Sequence, residues 1–312
     1  MPKLGSPSKS LGFMFASLAA LCWALANILM KVLLDANVPP FELVGMRNVF
    51  AFAFVIALVG LARPRHLVVR KGDLLYLGLY GTLSWAIAPA VGAWSVKLNP
   101  VAVAVLLLYT SPLFTLAWLA CSGRERVRRY EIVAAFIVLG GVTLVARVYD
   151  PLAALVDWPA IAVGLAAAMG FALFTVMGKH GVARLHPWTI LVYGLAFGSG
   201  FWLSAGTPVS FITANYAPWV WVATSVLAIL TGVVTIGFYL LALRAIGAAE
   251  ANVTASLEPV LTMALAFSLL GERLEPGQLV GAGILIGGVT YLQGSGMRSE
   301  RPRGPGKAPQ PT

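Results

Sequence analysis

The sequence contains few charged side chains. They make up 11% of its 312 residues, whereas hydrophobic residues make up 59%. A water-soluble domain carries about 25% charged residues, because its solvated surface requires them. Twelve acidic and 22 basic residues are too few to cover the surface of a soluble chain of this length. We therefore expect that lipid, rather than water, surrounds most of this chain.

Residues that support metal, redox or catalytic chemistry are also scarce. The two cysteines, Cys22 and Cys121, fall in apolar segments without CxxC or Cys/His spacing, so we expect no metal site and no cofactor. The connecting segments contain no nucleophile triad, Walker loop or HExxH motif, and they are too short for an ATPase domain. The sequence thus predicts a protein that is not an enzyme and that contains no ATP-hydrolysing domain of its own.

The net charge of +10 does not indicate a nucleic-acid partner. The bases occur in short runs between apolar stretches, as membrane topology requires, and form no patch interleaved with aromatic residues. If the N-terminus is cytoplasmic, the bases outside or within outer helix ends are only Lys31, Arg47, Lys97, Arg147 and Arg273. This asymmetry predicts an inner-membrane, multi-pass protein with both termini in the cytoplasm and an even number of spans.

Ten apolar segments reach the length of about 20 residues that a membrane-spanning helix needs. They cover residues 11–34, 41–62, 74–96, 101–121, 130–148, 158–178, 187–205, 217–241, 250–270 and 277–293. The first is longer than a signal-peptide apolar region and lacks a clear cleavage site, so we expect a retained helix. Residues 294–312, rich in Pro, Gly and Arg, predict a disordered cytoplasmic tail. The predicted fold is all-α, with ten transmembrane helices.

The two halves of the chain repeat each other at an offset of 147 residues. The coincidences include Glu125-Arg126 with Glu272-Arg273, residues 140–143 with 287–290 (both Gly-Gly-Val-Thr), Pro40 with Pro187, Lys97 with Arg244, and Pro112 with Pro259. Residues 1–150 therefore form a first repeat and residues 151–293 a second, each with five helices. Because five is odd, the second repeat is inverted relative to the first, an arrangement typical of secondary transporters.

The second repeat carries a recognisable motif. Residues 256–260 read Ser-Leu-Glu-Pro-Val, residues 270–273 read Leu-Gly-Glu-Arg, and a glycine-rich helix follows. This pattern resembles the EamA-type domain of the drug/metabolite transporter superfamily, and the duplication covers nearly the entire chain. The first repeat departs from it, since residues 110–113 read Thr-Ser-Pro-Leu and lack the acid before the proline. A role of Glu258 is therefore not shared by both repeats.

The resemblance implies a central cavity formed by the first four helices of each repeat, with the fifth and tenth helices peripheral. It implies a secondary transporter that exports small metabolites, above all amino acids or amphipathic and aromatic solutes, by alternating access. A nucleotide-sugar or phosphate-solute exchanger is one alternative, although it would need several bases at cavity depth. An integral-membrane scaffold or enzyme subunit is another, and it would need a catalytic cluster at one membrane face. The expected partners are a small-molecule substrate and membrane lipid.

Aromatic and mildly polar residues near the predicted midplane are candidates for the cavity wall. Tryptophan usually gathers at membrane interfaces, so tryptophans at mid-helix depth are unusual. They suit a wall that binds amphipathic solutes, or they simply fill space within the bundle. The candidate substrate-binding residues are Trp23, Asn27, Ser84, Trp85, Tyr109, Ser111, Phe171, Phe174, Thr235 and Ser256.

Two charged residues lie well inside predicted spans, away from the span ends. Glu258 lies deep in the ninth helix, where a charge is expensive. It is either a proton-coupling or substrate-amine site, or a carboxyl hydrogen-bonded to a neighbouring helix beside Pro259. Arg47 lies about two turns into the second helix. It either attracts a substrate carboxylate, pairs with a nearby acid, or extends to the outer interface.

Three prolines interrupt predicted helices and are candidate hinges. Pro89, Pro112 and Pro259 lack an N–H group, which deprives the carbonyl four residues earlier of its helical partner. Protein, water or ligand must satisfy that carbonyl in lipid. Each proline therefore either kinks a helix for packing or exposes an acceptor to a cavity. Gly283 and Gly287 also have the small-xxx-small spacing that allows close helix contact, so the chain is predicted to be a monomer or a homodimer.

Overall fold

A computed structural model describes residues 8–99, 101–123, 125–147, 158–271 and 273–299 of the chain. All regular secondary structure in these ranges is helical, and one short 3₁₀ turn, Pro64–Leu67, precedes the third span. The helices of the first half are α1 (Lys9–Asp35), α2 (Pro40–Ala62), α3 (Lys71–Leu98), α4 (Val101–Leu108), α5 (Ser111–Ser122) and α6 (Arg129–Val145). Those of the second half are α7 (Trp158–Val182), α8 (Pro187–Ser204), α9 (Thr207–Thr213), α10 (Pro218–Ala245), α11 (Ala248–Ala255), α12 (Glu258–Leu270) and α13 (Pro276–Arg298).

Eight spans in the described part of the chain are long and apolar enough to cross a membrane. Two of them consist of paired helices, α4 with α5 and α11 with α12. The other two predicted spans correspond to α6 and α8, helices of 17 and 18 residues that do not meet the same standard of length and apolarity. The all-helical, multi-pass architecture is confirmed, and eight of the ten predicted spans have the length and composition to cross a bilayer.

The same local signals set helix boundaries in both halves. Proline begins α2 and α8 at Pro40 and Pro187, where its missing N–H group costs no helical hydrogen bond. Gly123 and Gly271 follow α5 and α12 with φ angles of 61° and 68°. This left-handed conformation closes a helix and favours glycine.

Both repeats contain the same two irregularities. The third span of each has a π-helical segment, at Gly81–Ile87 in α3 and Ile229–Thr235 in α10. The fourth span of each is broken just before its proline, between α4 and α5 and between α11 and α12. Because the matching positions differ by 147 or 148 residues, the structure repeats at the offset found in the sequence.

The two described ends of the chain meet at one face of the bundle, which we call the terminal face. The Lys9 ammonium, at the start of α1, donates a hydrogen bond to the Gly296 carbonyl near the end of α13, over 3.4 Å. The opposite end of the bundle, where α1 ends at Asp35 and α2 begins at Pro40, is the far face.

The boundary predicted for the tail is corrected by the structure. Helix α13 continues to Arg298, so residues 294–298 belong to the last helix, while residues 300–312 lie outside the described ranges. Tertiary contacts support this extension, because a Cβ atom built on Gly296 would lie 2.9 Å from both the Phe13 ring and the Glu250 carboxyl. Gly296 lies in the segment whose Pro, Gly and Arg content predicted disorder, and its lack of a side chain instead allows close packing at this position.

Helices α6 and α13 pack backbone to backbone through glycines. A Cβ atom on Gly281 would lie 2.8 Å from the Gly141 carbonyl oxygen, and one on Gly141 would lie 2.8 Å from the Gly281 oxygen. No atom outside their own helix lies within 4 Å of the Cβ positions of Gly283 and Gly287. The predicted Gly283–Gly287 pair therefore makes no contact inside the described bundle, and Gly281 forms the tight contact instead.

Replacing Gly281 by Ala should destabilise the bundle by about 1–3 kcal/mol, because the added methyl group overpacks the α6–α13 contact. Gly283→Ala, on the open side of the same helix, should leave stability unchanged or raise it slightly. Thermal unfolding of the two purified variants in detergent measures the difference. Equal melting temperatures would contradict the contact.

Candidate functional site

Six aromatic rings pack together at the centre of the bundle. These rings, which we call the central aromatic cluster, are Trp23 from α1, Tyr80 and Trp85 from α3, Phe171 and Phe174 from α7, and Tyr239 from α10. Ring centroids lie 5.3 Å apart for Trp23 and Tyr239 and 6.0 Å apart for Trp85 and Phe174. Edge-to-face and offset contacts at such separations stabilise aromatic packing. The cluster joins the two repeats, since each contributes three rings.

A cavity of about 80 Å³, which we call cavity 1, lies against this cluster. Four of the predicted substrate-binding residues line it: Trp23, Ser84, Trp85 and Phe174. The other lining residues are Arg47, Asn48, Ala51, Pro89, Leu195, Thr231, Gly232 and Ile236. Both repeats contribute to the wall, and no acidic side chain is among the lining residues.

Two polar groups of cavity 1 lack partners in the described structure. The Ser84 hydroxyl is buried without a hydrogen bond to any described residue, whereas the Trp85 indole N–H lies against Gly194 of α8. The Arg47 guanidinium is half-buried and forms no ion pair or hydrogen bond with any residue the structure describes. The acid predicted as one alternative partner of Arg47 is therefore not found in those ranges. Unpaired polar groups at such depth are costly, so a bound solute or water is the natural partner.

The carbonyl that Pro89 deprives of its helical partner is satisfied by protein. The Asn48 side-chain amide donates a hydrogen bond of 2.6 Å to the Trp85 carbonyl oxygen, four residues before Pro89. The Ser199 hydroxyl, on α8, donates to the Asn48 carbonyl over 3.0 Å. Sequence reasoning identified the freed carbonyl but missed Asn48. The available signal was a second polar side chain, next to Arg47, within an apolar span.

A second, smaller cavity of about 30 Å³, cavity 2, lies where the two broken spans meet. Five predicted site residues line it: Tyr109, Ser111, Phe171, Ser256 and Glu258. Leu108, Asn252 and Ala255 complete the wall. The carbonyls of Leu108 and Ala255 are those that Pro112 and Pro259 free from helical bonding. The two carbonyls that the candidate hinges leave without helical partners thus belong to residues that line a cavity.

Glu258 is hydrogen-bonded to neighbouring spans. The Asn27 side-chain amide, on α1, donates a bond of 2.7 Å to the Glu258 carboxyl oxygen, and the Tyr109 hydroxyl donates to the same carboxyl group. The Asn27 amide also lies 3.4 Å from the Thr262 hydroxyl. Asn27 and Tyr109, which were predicted to bind substrate, are therefore hydrogen-bond partners of Glu258. Asn27 lines neither cavity 1 nor cavity 2.

Thr235 also lies away from both cavities. Its side chain is buried, and its hydroxyl donates a bond of 2.7 Å to the Leu230 carbonyl, five residues earlier in the π-helical segment. The hydroxyl therefore satisfies a backbone acceptor inside α10, and the structure gives it no contact with a cavity.

Asn252 joins the two broken spans and was missed by the sequence analysis as a site residue. Its side-chain amide donates to the Thr115 hydroxyl over 2.9 Å, and the Ser111 hydroxyl donates to its carbonyl oxygen over 3.3 Å. Because Asn252 belongs to α11 and the two hydroxyls to α5, these bonds hold the breaks of the two repeats against each other.

The terminal face is closed by a buried charged network around Glu250. The Lys9 ammonium lies 3.0 Å from the Glu250 carboxyl, whose side chain is 3% exposed. The Tyr130 hydroxyl donates to the same carboxyl over 2.8 Å, and the Gly247 N–H donates to its other oxygen over 3.0 Å. These bonds tie α1, α6 and α11 together, so Glu250 does more than begin a helix.

The described residues contain no group of three or more His, Cys, Asp or Glu side chains placed to hold a metal ion. The walls of the two cavities present aromatic faces, amides, hydroxyls, a carboxyl group and one guanidinium.

Comparisons with known proteins agree with this arrangement. The model of the EamA-like transporter family matches twice, over residues 10–147 and 158–293. A Clostridium kluyveri protein named "Uncharacterized transporter" is 26% identical over 88% of this chain and 90% of its own length. The Bacillus subtilis protein "Uncharacterized transporter YcbK" is 24% identical over 90% of this chain and 93% of its own. One crystal structure, 19% identical, superposes with a TM-score of 0.71 over 95% of this chain and all of the other. That likeness shows the fold.

Replacing Asn48 by Leu should cost about 1–3 kcal/mol of stability, because the Trp85 carbonyl then stays buried without a donor. Pro89→Ala restores an N–H group that can bond this carbonyl within the helix. In the Pro89→Ala background, Asn48→Leu should therefore cost less than half as much. A double-mutant cycle of thermal unfolding measures this coupling, and strictly additive effects would contradict the assigned bond.

Proposed function

The chain belongs to the EamA-like transporter family and is a multi-pass membrane transporter, and we propose that it exports small amphipathic carboxylates, above all amino acids with apolar or aromatic side chains. The binding site of this proposal is cavity 1. The proposed location is a bacterial inner membrane, with the terminal face toward the cytoplasm, because the bases of the connecting segments concentrate at that face.

One observation carries the proposal: Arg47 lines cavity 1 without an ionic partner among the described residues. A guanidinium held away from water is costly unless an anion neutralises it. Its planar fork matches a carboxylate, which accepts two parallel hydrogen bonds from it. A solute that brings a carboxylate therefore supplies what the protein lacks at this position.

The rest of the cavity wall suits the remainder of such a solute. Trp23, Trp85 and Phe174 offer aromatic faces to an apolar side chain. The Ser84 hydroxyl, which has no protein partner in the described chain, can accept a hydrogen bond from an ammonium group. A phosphate-bearing or nucleotide-sugar substrate is not favoured, because Arg47 is the only base among the lining residues.

The proposed mechanism is alternating access by the two repeats. The Glu250 network closes the terminal face, while the π-helical segments and the broken spans occupy matching positions in both repeats. Helix breaks at such places let two packed halves exchange conformations around a site between them. Opening toward the terminal face would require separation of Lys9 from Glu250.

Glu258 has a structural role in this proposal. Its carboxyl group receives donors from α1 and from the residue that follows α4, so it anchors the break between α11 and α12. The repeat offset pairs it with Ser111, which performs a similar task through Asn252. Proton coupling by Glu258 is the alternative, and transport under a gradient distinguishes the two.

Arg47→Gln should weaken binding of an aromatic amino acid at least tenfold, because the carboxylate loses its charged partner. The same variant should bind the corresponding amino-acid amide as well as the wild-type protein does. Arg147→Gln, which removes a base paired with Glu275 at the far face, is the matched control. Purified protein with a panel of amino acids and their amides provides the measurement. Equal losses for acid and amide would show that Arg47 acts only on folding.

Glu258→Gln should retain transport driven by an imposed proton gradient in proteoliposomes, because an amide oxygen still accepts from Asn27 and Tyr109. Glu258→Leu, which removes the acceptor, should lower both thermal stability and transport. Loss of gradient-driven transport in Glu258→Gln, with substrate binding intact, would instead assign proton coupling to this residue.

A further inference from the structure

A pocket at the terminal face is lined by two basic residues, and the proposed transport function does not use it. The pocket has a volume of about 90 Å³ and lies between the start of α8 and the end of α10. His186, which immediately precedes α8, and Trp188 of α8 line it on one side, and Arg244 lines it from the last turn of α10. Pro187, Leu191, Gly237 and Leu241 form the apolar part of its wall.

The positive charge of this pocket is not balanced by acids. Arg244 is half-buried and makes no ion pair or hydrogen bond within the described ranges. The His186 ring stacks on the His66 ring with centroids 4.0 Å apart. Burial, together with the nearby His66, Arg244 and Arg63, lowers the pKa of His186. The charges that act most strongly on this histidine are all positive.

The backbone holds these bases in place. His66 lies in the 3₁₀ turn, and the Thr189 hydroxyl on α8 donates to its carbonyl over 2.9 Å. The Tyr193 hydroxyl donates to the next carbonyl, that of Leu67, over 2.7 Å. The Trp188 N–H donates to His186 Nδ1 over 3.3 Å. A neutral His186 therefore carries its proton on Nε2, and this Nε2–H group is a donor that the bond to Trp188 does not use.

From this geometry we propose that the pocket binds the phosphate headgroup of an anionic phospholipid in the leaflet at the terminal face. Helix ends that carry Arg and Trp lie at the level of lipid headgroups. Arg244 and His186 supply donors to a phosphate, and Leu191 and Leu241 continue the pocket as an apolar surface beside which an acyl chain can lie. The ligand chemistry is a phosphate monoanion joined to an apolar tail.

The site belongs to one leaflet only. The repeat offset pairs Arg244 with Lys97, so a base also stands at the matching position of the first repeat. The same offset pairs His186 with Pro39 and Trp188 with Phe41. The side chains of Pro39 and Phe41 contain no hydrogen-bond donor. The inverted repeat therefore lacks an equivalent phosphate pocket at the far face.

The test titrates the full-length protein in detergent with phosphatidylglycerol, with phosphatidylcholine of the same acyl chains, and with inorganic phosphate. We expect phosphatidylglycerol to raise the melting temperature and the other two additives to have little effect. Arg244→Gln should weaken the apparent affinity for phosphatidylglycerol about fivefold, which corresponds to about 1 kcal/mol per base near a charged lipid surface. His186→Gln should weaken it as well and serves as the second variant if Arg244→Gln folds poorly.

Two matched variants serve as controls. Lys97→Gln removes the repeat-related base, and Arg184→Gln removes a base that lies 3.6 Å from Asp73; both should keep the wild-type response to phosphatidylglycerol. Native mass spectrometry of the same samples counts bound lipid directly. Equal affinity in wild type and Arg244→Gln, or full stabilisation by inorganic phosphate alone, would overturn the proposal. Neither result bears on the proposed carboxylate site around Arg47, because that site is tested by the binding of amino acids and their amides.

Discussion

The absence of water inside a bilayer is the constraint on which this structure depends. A backbone carbonyl that loses its helical partner in lipid must find another one within the protein. Pro89 frees the Trp85 carbonyl, and Asn48 satisfies it. The Thr235 hydroxyl satisfies the Leu230 carbonyl in the π-helical segment of α10. Residues of both π-helical segments line cavity 1, and residues beside both helix breaks line cavity 2.

The duplicated unit supplies a scaffold, whereas the proposed binding site lies where its two copies differ. The repeat offset pairs Arg47 with Gly194, and a Cβ atom on Gly194 would lie 2.8 Å from the Trp85 ring. One copy thus contributes a cation to cavity 1, and the other contributes the space that the facing tryptophan needs. Glu258 and Ser111 are a second such pair, in which each residue bonds a different neighbour. A symmetric binding site would be less selective for a solute with distinct ends.

Closure of the terminal face rests on few groups. Glu250 receives donors from Lys9, Tyr130 and Gly247 at once, and breaking a buried ion pair of this kind without a replacement partner costs several kcal/mol. Exchange between two conformations therefore requires new partners for these groups in the other state. The tight contact between Gly141 and Gly281 is separate from this network. It can therefore hold α6 and α13 together while the central helices rearrange.

Composition alone determined the lipid environment, because too few charges are present to cover a soluble surface. The offset of the repeats, the helix breaks before Pro112 and Pro259 and the family resemblance also followed from residue order, since these features are local or periodic. The sequence alone did not predict which side chains form hydrogen bonds to distant spans. Asn48 with Trp85, Asn27 with Glu258 and Asn252 with Thr115 are separated by 37, 231 and 137 residues. Only packing of the spans decides which polar group reaches another, because lipid excludes water as an alternative partner.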